Sequence, residues 1–209
     1  MMKNKFIVLE GIEGAGKTEA CLFIKKILKK INITNVVAVR EPGSTLVSEE
    51  IRKLIKYNNT LTKKAELLLF YASRVQLVET VIKPALMQGN WIISDRYDLS
   101  SLAYQGGGLD INQHLIISLR KMFLNDCKPD LTIYLDVTPK IGLERIRVRK
   151  NLDKIEKKSL NFFVKVRNSY LKLAASDSDI ITIDATFNKN VVKKEIKNQL
   201  YQWINKQCL

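Results

Sequence analysis

Apolar residues, many of them β-branched, gather in five short runs at 5–10, 35–40, 90–95, 130–136 and 180–184. The longer stretches between them carry helical periodicity: Ile24, Ile27, Leu28 and Ile31 share one face, opposite Lys25, Lys26, Lys29 and Lys30. Strand-length runs alternating with amphipathic stretches predict parallel strands joined by helical crossovers, a three-layer α/β fold built on a five-stranded parallel sheet flanked by helices. Four of the runs are nearly continuous apolar, as expected of strands covered on both faces. The stretch 64–87 reads as a helix apolar almost all round, which on periodicity alone makes Phe70 a core residue.

Open α/β sheets bind ligands at the carboxyl ends of their strands, so the residues that follow each run should converge. After the first run comes Gly11-Ile12-Glu13-Gly14-Ala15-Gly16-Lys17-Thr18, a G-x-x-x-x-G-K-[ST] loop leading into an amphipathic stretch. Its glycines let backbone N–H groups converge on phosphate oxygens, and the following helix presents its positive end to the same anion. The ligand class is therefore a nucleoside triphosphate, with Lys17 reaching the β- and γ-phosphates and the Thr18 hydroxyl available to Mg²⁺. After the third run comes Asp95-Arg96-Tyr97. Asp95 is a candidate Mg²⁺ ligand, with a helix N-cap as the alternative; Arg96 is a second anion ligand, with a structural salt bridge as the alternative. Asp136, after the fourth run, caps or braces the following turn.

A cluster of arginines, Arg145, Arg147 and Arg149, lies beyond the fourth run, with Lys150 next to it. Three arginines at i, i+2 and i+4 cannot share one helix face. The segment at about 145–156 is expected to be a mobile basic lid that orders on an anion, the alternative being a solvated helix paired with Asp153 and Glu156. A basic lid suits phosphoryl transfer, whose transition state spreads negative charge over the γ-phosphoryl oxygens. Because position 15 of the phosphate loop is Ala, that cation comes from elsewhere or from Lys17 alone.

The 209 residues contain no Pro/Gly/Ser-rich linker and read as a single domain, 1–209. There is no membrane-spanning run, and the chain enters a strand too early for a signal peptide, which points to the cytoplasm. Cys21, Cys127 and Cys208 lack the spacing of a zinc site or a disulfide framework. A net charge of +14 invites a nucleic-acid reading, but lysines spread over helix faces account for much of it, and no nucleic-acid partner is expected. His114 is an ordinary helix residue.

Taken together the motifs resemble bacterial thymidylate kinases over essentially the whole chain. The resemblance rests on Leu9 to Thr18, Arg40-Glu41-Pro42-Gly43, Phe70-Tyr71-Ala72-Ser73-Arg74-Val75-Gln76, Asp95-Arg96-Tyr97-Asp98-Leu99-Ser100, Ala103-Tyr104-Gln105 with the triple glycine after it, and Tyr134-Leu135-Asp136-Val137-Thr138. It implies a P-loop NTPase fold, ATP and Mg²⁺ as cofactors, dTMP as acceptor and a homodimer. It also implies residue roles. Phe70 stacks on thymine and Arg74 bonds its carbonyl edge; Ser101 and Gln105 line the base pocket; Tyr104 crowds the 2′ position; Glu13 accepts from the 3′-hydroxyl. Arg96, with Arg40 and Arg52 and beside Pro42, holds the dTMP phosphate, and Arg149 is the catalytic lid arginine. Departures from the family pattern are Glu19, Ser44, Leu109 and Lys150, none at a position given a role. Two other readings stand beside this one. A P-loop nucleoside or small-molecule kinase would need a base such as Glu10 or Asp95. A nucleotide switch or nucleic-acid-associated ATPase lacks its signals here: Asn188-Lys189-Asn190-Val191 fails the N-K-x-D pattern, and no apolar strand ends in Asp-Glu.

Overall fold

In the computed structural model, which describes residues 4–124, 127–147 and 152–207, β1 (Phe6–Glu10) is buried over its whole length. Its side chains alternate between two cores, Ile7 and Leu9 entering one and Phe6 and Val8 the other. A strand with no solvent face has no polar alternation to show, which is why its sequence reads as one apolar run. The remaining strands are β2 (Val36–Arg40), β3 (Trp91–Asp95), β4 (Leu131–Asp136) and β5 (Ile180–Asp184). All pair in parallel in the order β2-β3-β1-β4-β5, and each begins and ends within one residue of the expected run.

The helices are α1 (Lys17–Lys30), α2 (Leu46–Tyr57), α3 (Lys63–Leu77), α4 (Lys83–Met87), α5 (Asp98–Ser101), α6 (Gln113–Leu124), α7 (Pro139–Ile146), α8 (Leu160–Ala175) and α9 (Lys189–Gln207). Ile24 and Leu28 of α1, Phe163 and Tyr170 of α8 and Leu200 of α9 close the core on one side of the sheet. Leu67 and Leu77 of α3, Ala85 of α4 and Ile116 of α6 close the other. Among the described residues, no helix is long and apolar enough to cross a membrane.

Two stretches depart from simple helices. The segment expected as one helix over 64–87 changes pitch: Val78–Ile82 winds as a π-helix between α3 and α4. Pro84 has no N–H to return to the Thr80 carbonyl, so an α-turn cannot close there. A second π-helix, Leu102–Gly108, follows α5 and ends in the triple glycine. A Cβ on Gly108 would lie 2.5 Å from the Phe162 ring, so the glycines let this turn rest directly on α8.

With β1 between β3 and β4, the chain leaves the middle of the sheet toward both edges. The carboxyl ends of β1, β3 and β4 therefore border the crevice in which such sheets bind ligands.

Candidate active site

The loop after β1 is shaped by glycines in conformations that residues with side chains rarely adopt, with φ of 144° at Gly11, 76° at Gly14 and 91° at Gly16. A Cβ on Gly14 would collide with the Gly142 carbonyl of α7, whereas one on Gly16 would meet nothing within 4 Å. Gly16 is also the N-cap of α1 and supplies no side chain, while Thr45, Thr62 and Ser159 cap α2, α3 and α8 with hydroxyl oxygens. The start of α1 thus keeps its N–H groups for an external anion. Gly11 and Ile12 are buried beneath the loop; Glu13, Gly14, Ala15, Gly16, Lys17 and Thr18 line a groove of about 1050 Å³. Lys17 folds back within it, its Nζ donating to the Ile12 carbonyl at 2.9 Å. Burial, followed by the charge of Arg96, pushes its ammonium down to about 8. Thr18 Oγ1 donates to Asp95 Oδ2 at 2.5 Å, so the two hard oxygen donors read from the sequence meet at one point of the groove.

Arg96 is the best-connected cation of the site. Its φ is 76°, left-handed for a residue with a side chain, and its N–H donates to the Leu9 carbonyl at 2.9 Å. The guanidinium donates through Nη2 to Glu13 Oε1 at 2.8 Å and the Tyr104 hydroxyl at 3.0 Å, and through Nη1 to the Gly11 carbonyl at 2.9 Å. Tyr104 in turn donates to Glu13 Oε2 at 2.6 Å. Burial works against the charge of Arg96, but Tyr104, Glu13, Tyr170 and Glu10 together outweigh it and hold the guanidinium well above its usual value. The salt bridge read as one alternative for this residue is present, and the residue also lines the groove.

Phe70 lies half-buried on the wall of the same groove, outside both cores, and Ser101 and Gln105 line that groove as well. Arg74 is 1% exposed and sits behind that wall, donating to Glu41 Oε2 at 2.6 Å, Ser101 Oγ at 3.1 Å and the Tyr97 carbonyl at 3.1 Å. Arg40 and Arg52 line the groove from its rim. Arg40 pairs with Glu49 at 3.0 Å, and Arg52 donates to the Pro42 carbonyl at 2.6 Å. Glu10, a candidate base for a nucleoside acceptor, has no exposed surface and accepts four hydrogen bonds, so no acceptor hydroxyl reaches it.

The described part of the expected lid is anchored on both sides. Arg145, in the last turn of α7, donates to the carbonyls of Ala185 at 2.8 Å and Thr186 at 3.0 Å, and more weakly to Gly14 at 3.3 Å. It therefore braces the loop after β5 against the phosphate loop, with the exposed Phe187 beside it in the groove. Arg147 is exposed at the end of α7, and Arg149 lies outside the described residues. Past the arginines, Lys154 donates to Glu66 of α3 at 2.7 Å and Asp153 pairs with Lys56 of α2 at 2.9 Å. Sequence spacing gives no sign of these two contacts, since their partners are about a hundred residues apart. Asp136 braces α8 rather than the turn after it, accepting from Nε and Nη2 of Arg167 at 2.8 Å each.

The comparisons with known proteins agree with this geometry. The family model described as thymidylate kinase matches residues 9–196. The thymidylate kinase of Buchnera aphidicola subsp. Schizaphis graminum is 57% identical over 212 residues, covering all of both chains. That of Buchnera aphidicola subsp. Acyrthosiphon pisum is 55% identical over the same span. The crystal structure of thymidylate kinase from Ehrlichia chaffeensis superposes with a TM-score of 0.79 at 31% identity, covering 94% of this chain and 98% of that one. A phosphate loop, an Asp95-Arg96 turn and a Phe70-walled pocket set along one crevice of a parallel sheet, matched end to end by such relatives, place this chain in the thymidylate kinase family.

Proposed function

We propose that the chain converts dTMP to dTDP by in-line transfer of the γ-phosphoryl group of MgATP, within one kinase domain. The observation that carries this is that a single groove is lined together by Phe70 and Gln105, by Arg96 and Asp95, by Lys17 and Gly16, and by Phe187. One nucleotide entering from each end brings its phosphates to the same point. The acceptor is already an anion, so the protein's task is charge neutralisation and alignment, not proton abstraction.

The roles follow from position. Phe70 stacks on the thymine, with Ser101 and Gln105 at the base edge and Arg74 behind them. Tyr104 crowds the 2′ carbon and Glu13 accepts from the 3′-hydroxyl. The hydrogen bonds of Arg96 run through its two terminal nitrogens, which leaves Nε–H without a partner among the described residues and open to the acceptor phosphate. Arg40 and Arg52, by Pro42, supply further positive charge at that end. The phosphate loop and Lys17 hold the donor, Arg145 supports the wall at its base, and Arg147 and Arg149 bring the lid's charge. A bound Mg²⁺ would neutralise phosphate oxygens, and Thr18 and Asp95 are the residues to hold it. No cluster of three His, Cys, Asp or Glu side chains exists among the described residues, so phosphate and water would complete its shell.

The test is release of ADP from MgATP with a panel of nucleoside monophosphates, thymidine and a blank without acceptor. Turnover selective for dTMP is expected; activity on thymidine, or on no monophosphate, overturns the acceptor assignment. In the same assay Arg149→Ala is expected to lower turnover by about 10³ with little change in the KM for dTMP, and unchanged turnover removes Arg149 from catalysis.

The enzyme further reads as a cytoplasmic homodimer. Cys21 and Cys127 are buried free thiols, suited to a reducing compartment. Leu46 and Leu54 of α2, Leu68 of α3 and Met122 of α6 expose large apolar side chains on neighbouring helices of one layer. Sedimentation should give twice the chain mass, and Leu68→Glu should shift it toward the monomer; a monomeric parent refutes the pairing.

A further inference from the structure

Glu10 ends β1 with no exposed surface, and its carboxylate gathers four donors. Oε1 accepts from the N–H groups of Tyr97 at 2.8 Å and Ser100 at 3.2 Å. Oε2 accepts from the hydroxyls of Ser100 at 2.6 Å and Tyr170 at 2.7 Å. Each hydroxyl has one proton and a carboxylate has none to give, so both protons point at Glu10. Their lone pairs are thereby turned to Arg96, whose Nη1 lies 3.2 Å from Ser100 Oγ and 3.4 Å from the Tyr170 oxygen. The Ser100 and Tyr170 oxygens are themselves 2.9 Å apart, but with both protons committed to Glu10 neither serves the other. Through Tyr97 N–H the same carboxylate also holds the residue that follows Arg96, whose left-handed backbone needs support from outside.

We infer that Glu10 is a positioning residue for phosphoryl transfer: by fixing the direction of two hydroxyl groups and pinning the turn after β3, it aims the Arg96 guanidinium into the groove. The inference rests on reading Arg96 as the ligand of the acceptor phosphate. It explains why a carboxylate, and not an amide of the same shape, occupies the spot. A glutamine here must place its NH₂ either against the two backbone N–H groups, donor to donor, or against the two hydroxyls. In the second case it displaces their protons toward each other and toward Arg96. Both arrangements unseat the guanidinium without removing an atom from it.

The experiment compares Glu10→Gln, Tyr170→Phe, their double variant and Arg96→Ala in the full chain, measuring kcat, the KM for each substrate and the melting temperature. Glu10→Gln is expected to lower kcat by roughly ten- to a hundredfold, as outer-shell partners of a functional group do, with the KM for ATP within about twofold of the parent. Tyr170→Phe should lose less, and the double variant should lose less than the product of the two, because both act through Arg96. A purely structural role would lower the melting temperature and leave kcat of the folded enzyme in place, and that result overturns the inference. Should Glu10→Gln fail to fold, Tyr170→Phe and Ser100→Ala carry the test: loss of kcat at constant KM for ATP supports it, and an unchanged kcat refutes it. Arg96→Ala separates the two levels. If it collapses turnover while Glu10→Gln does not, only the link from Glu10 fails; if it retains turnover, the role of Arg96 fails as well.

Discussion

Lys17→Ala is expected to lower kcat/KM for MgATP by about 10³ or more, while the melting temperature stays close to that of the parent and the KM for dTMP moves by no more than about twofold. The separation follows from what the side chain does in the fold. Among the described residues its one hydrogen bond is to the Ile12 carbonyl, and such a bond has a net value of only about 0.5–1.5 kcal/mol. Against that stands the cost of keeping a buried ammonium charged, visible in its depression to about 8. The side chain is therefore held ready at the fold's expense, and a triphosphate offers it a full negative charge where the Ile12 carbonyl offers only a dipole. Two neighbouring cations are already engaged, Arg96 with Glu13 and Arg145 with the carbonyls of the loop after β5. Lys17→Arg should restore little, because a planar guanidinium does not fit where a compact ammonium lies under the glycine turn. Steady-state rates with MgATP varied at saturating dTMP decide the matter. A loss of less than tenfold would mean that the backbone N–H groups of the loop and of α1 hold the donor without it.

The strands and the phosphate loop were legible in the sequence because each is dictated locally. A strand buried on both faces must be apolar throughout, as β1 is, and Gly14 and Gly16 adopt conformations that few other residues tolerate. Phe70 shows where periodicity stops being informative. The helix around it is apolar nearly all round, so the pattern assigns it to the core, and only tertiary structure reveals that this side of the helix faces a groove. The supports of Arg96 were hidden for another reason. Tyr170 lies 160 residues from Glu10, and nothing in the spacing of either announces the partner. The same holds for the ion pair of Lys154 with Glu66, whose partners lie 88 residues apart. Chemistry that depends on one loop can be read along the chain. Chemistry that depends on how side chains from β1, α3 and α8 are brought together cannot.

Arg74 is where fold and specificity are hardest to separate, and Arg74→Met is expected to cost about 3–5 kcal/mol of folding stability. The guanidinium is buried between the rings of Tyr71 and Tyr97, 5.0 and 5.7 Å from its centre, and it is the hydrogen-bonding partner of a buried carboxylate. Glu41 is 6% exposed, and its Oε1 has no hydrogen-bond partner among the described residues even with Arg74 in place. Burial pushes the Glu41 carboxyl up to about 7, with Arg74 pulling the other way. Removing the cation raises it further. The folded variant then binds a proton that the unfolded chain, with an ordinary glutamate near 4.3, has already released. The sign follows: ionisation opposes folding in both proteins, and because the parent's Glu41 also keeps its proton up to about pH 7, the cost of Arg74→Met is level below that pH and grows only as the pH rises above 7 toward the variant's higher value. Neutralising the partner should reverse most of it, since Glu41→Gln with Arg74→Met leaves no charge buried alone. Denaturant unfolding of the single and double variants at pH 5 and pH 8 measures both effects, and a pH-independent loss would place the damage in packing against the two tyrosines. The folded double variant then isolates the base pocket. With three directions of the guanidinium spent on Glu41, Ser101 and the Tyr97 carbonyl, its remaining N–H groups stand behind the wall that Ser101 shares with the groove. A KM for dTMP raised by up to about tenfold, the worth of one hydrogen bond, makes Arg74 a reader of the thymine edge; a KM equal to the parent's makes it the strut that holds Ser101 in place.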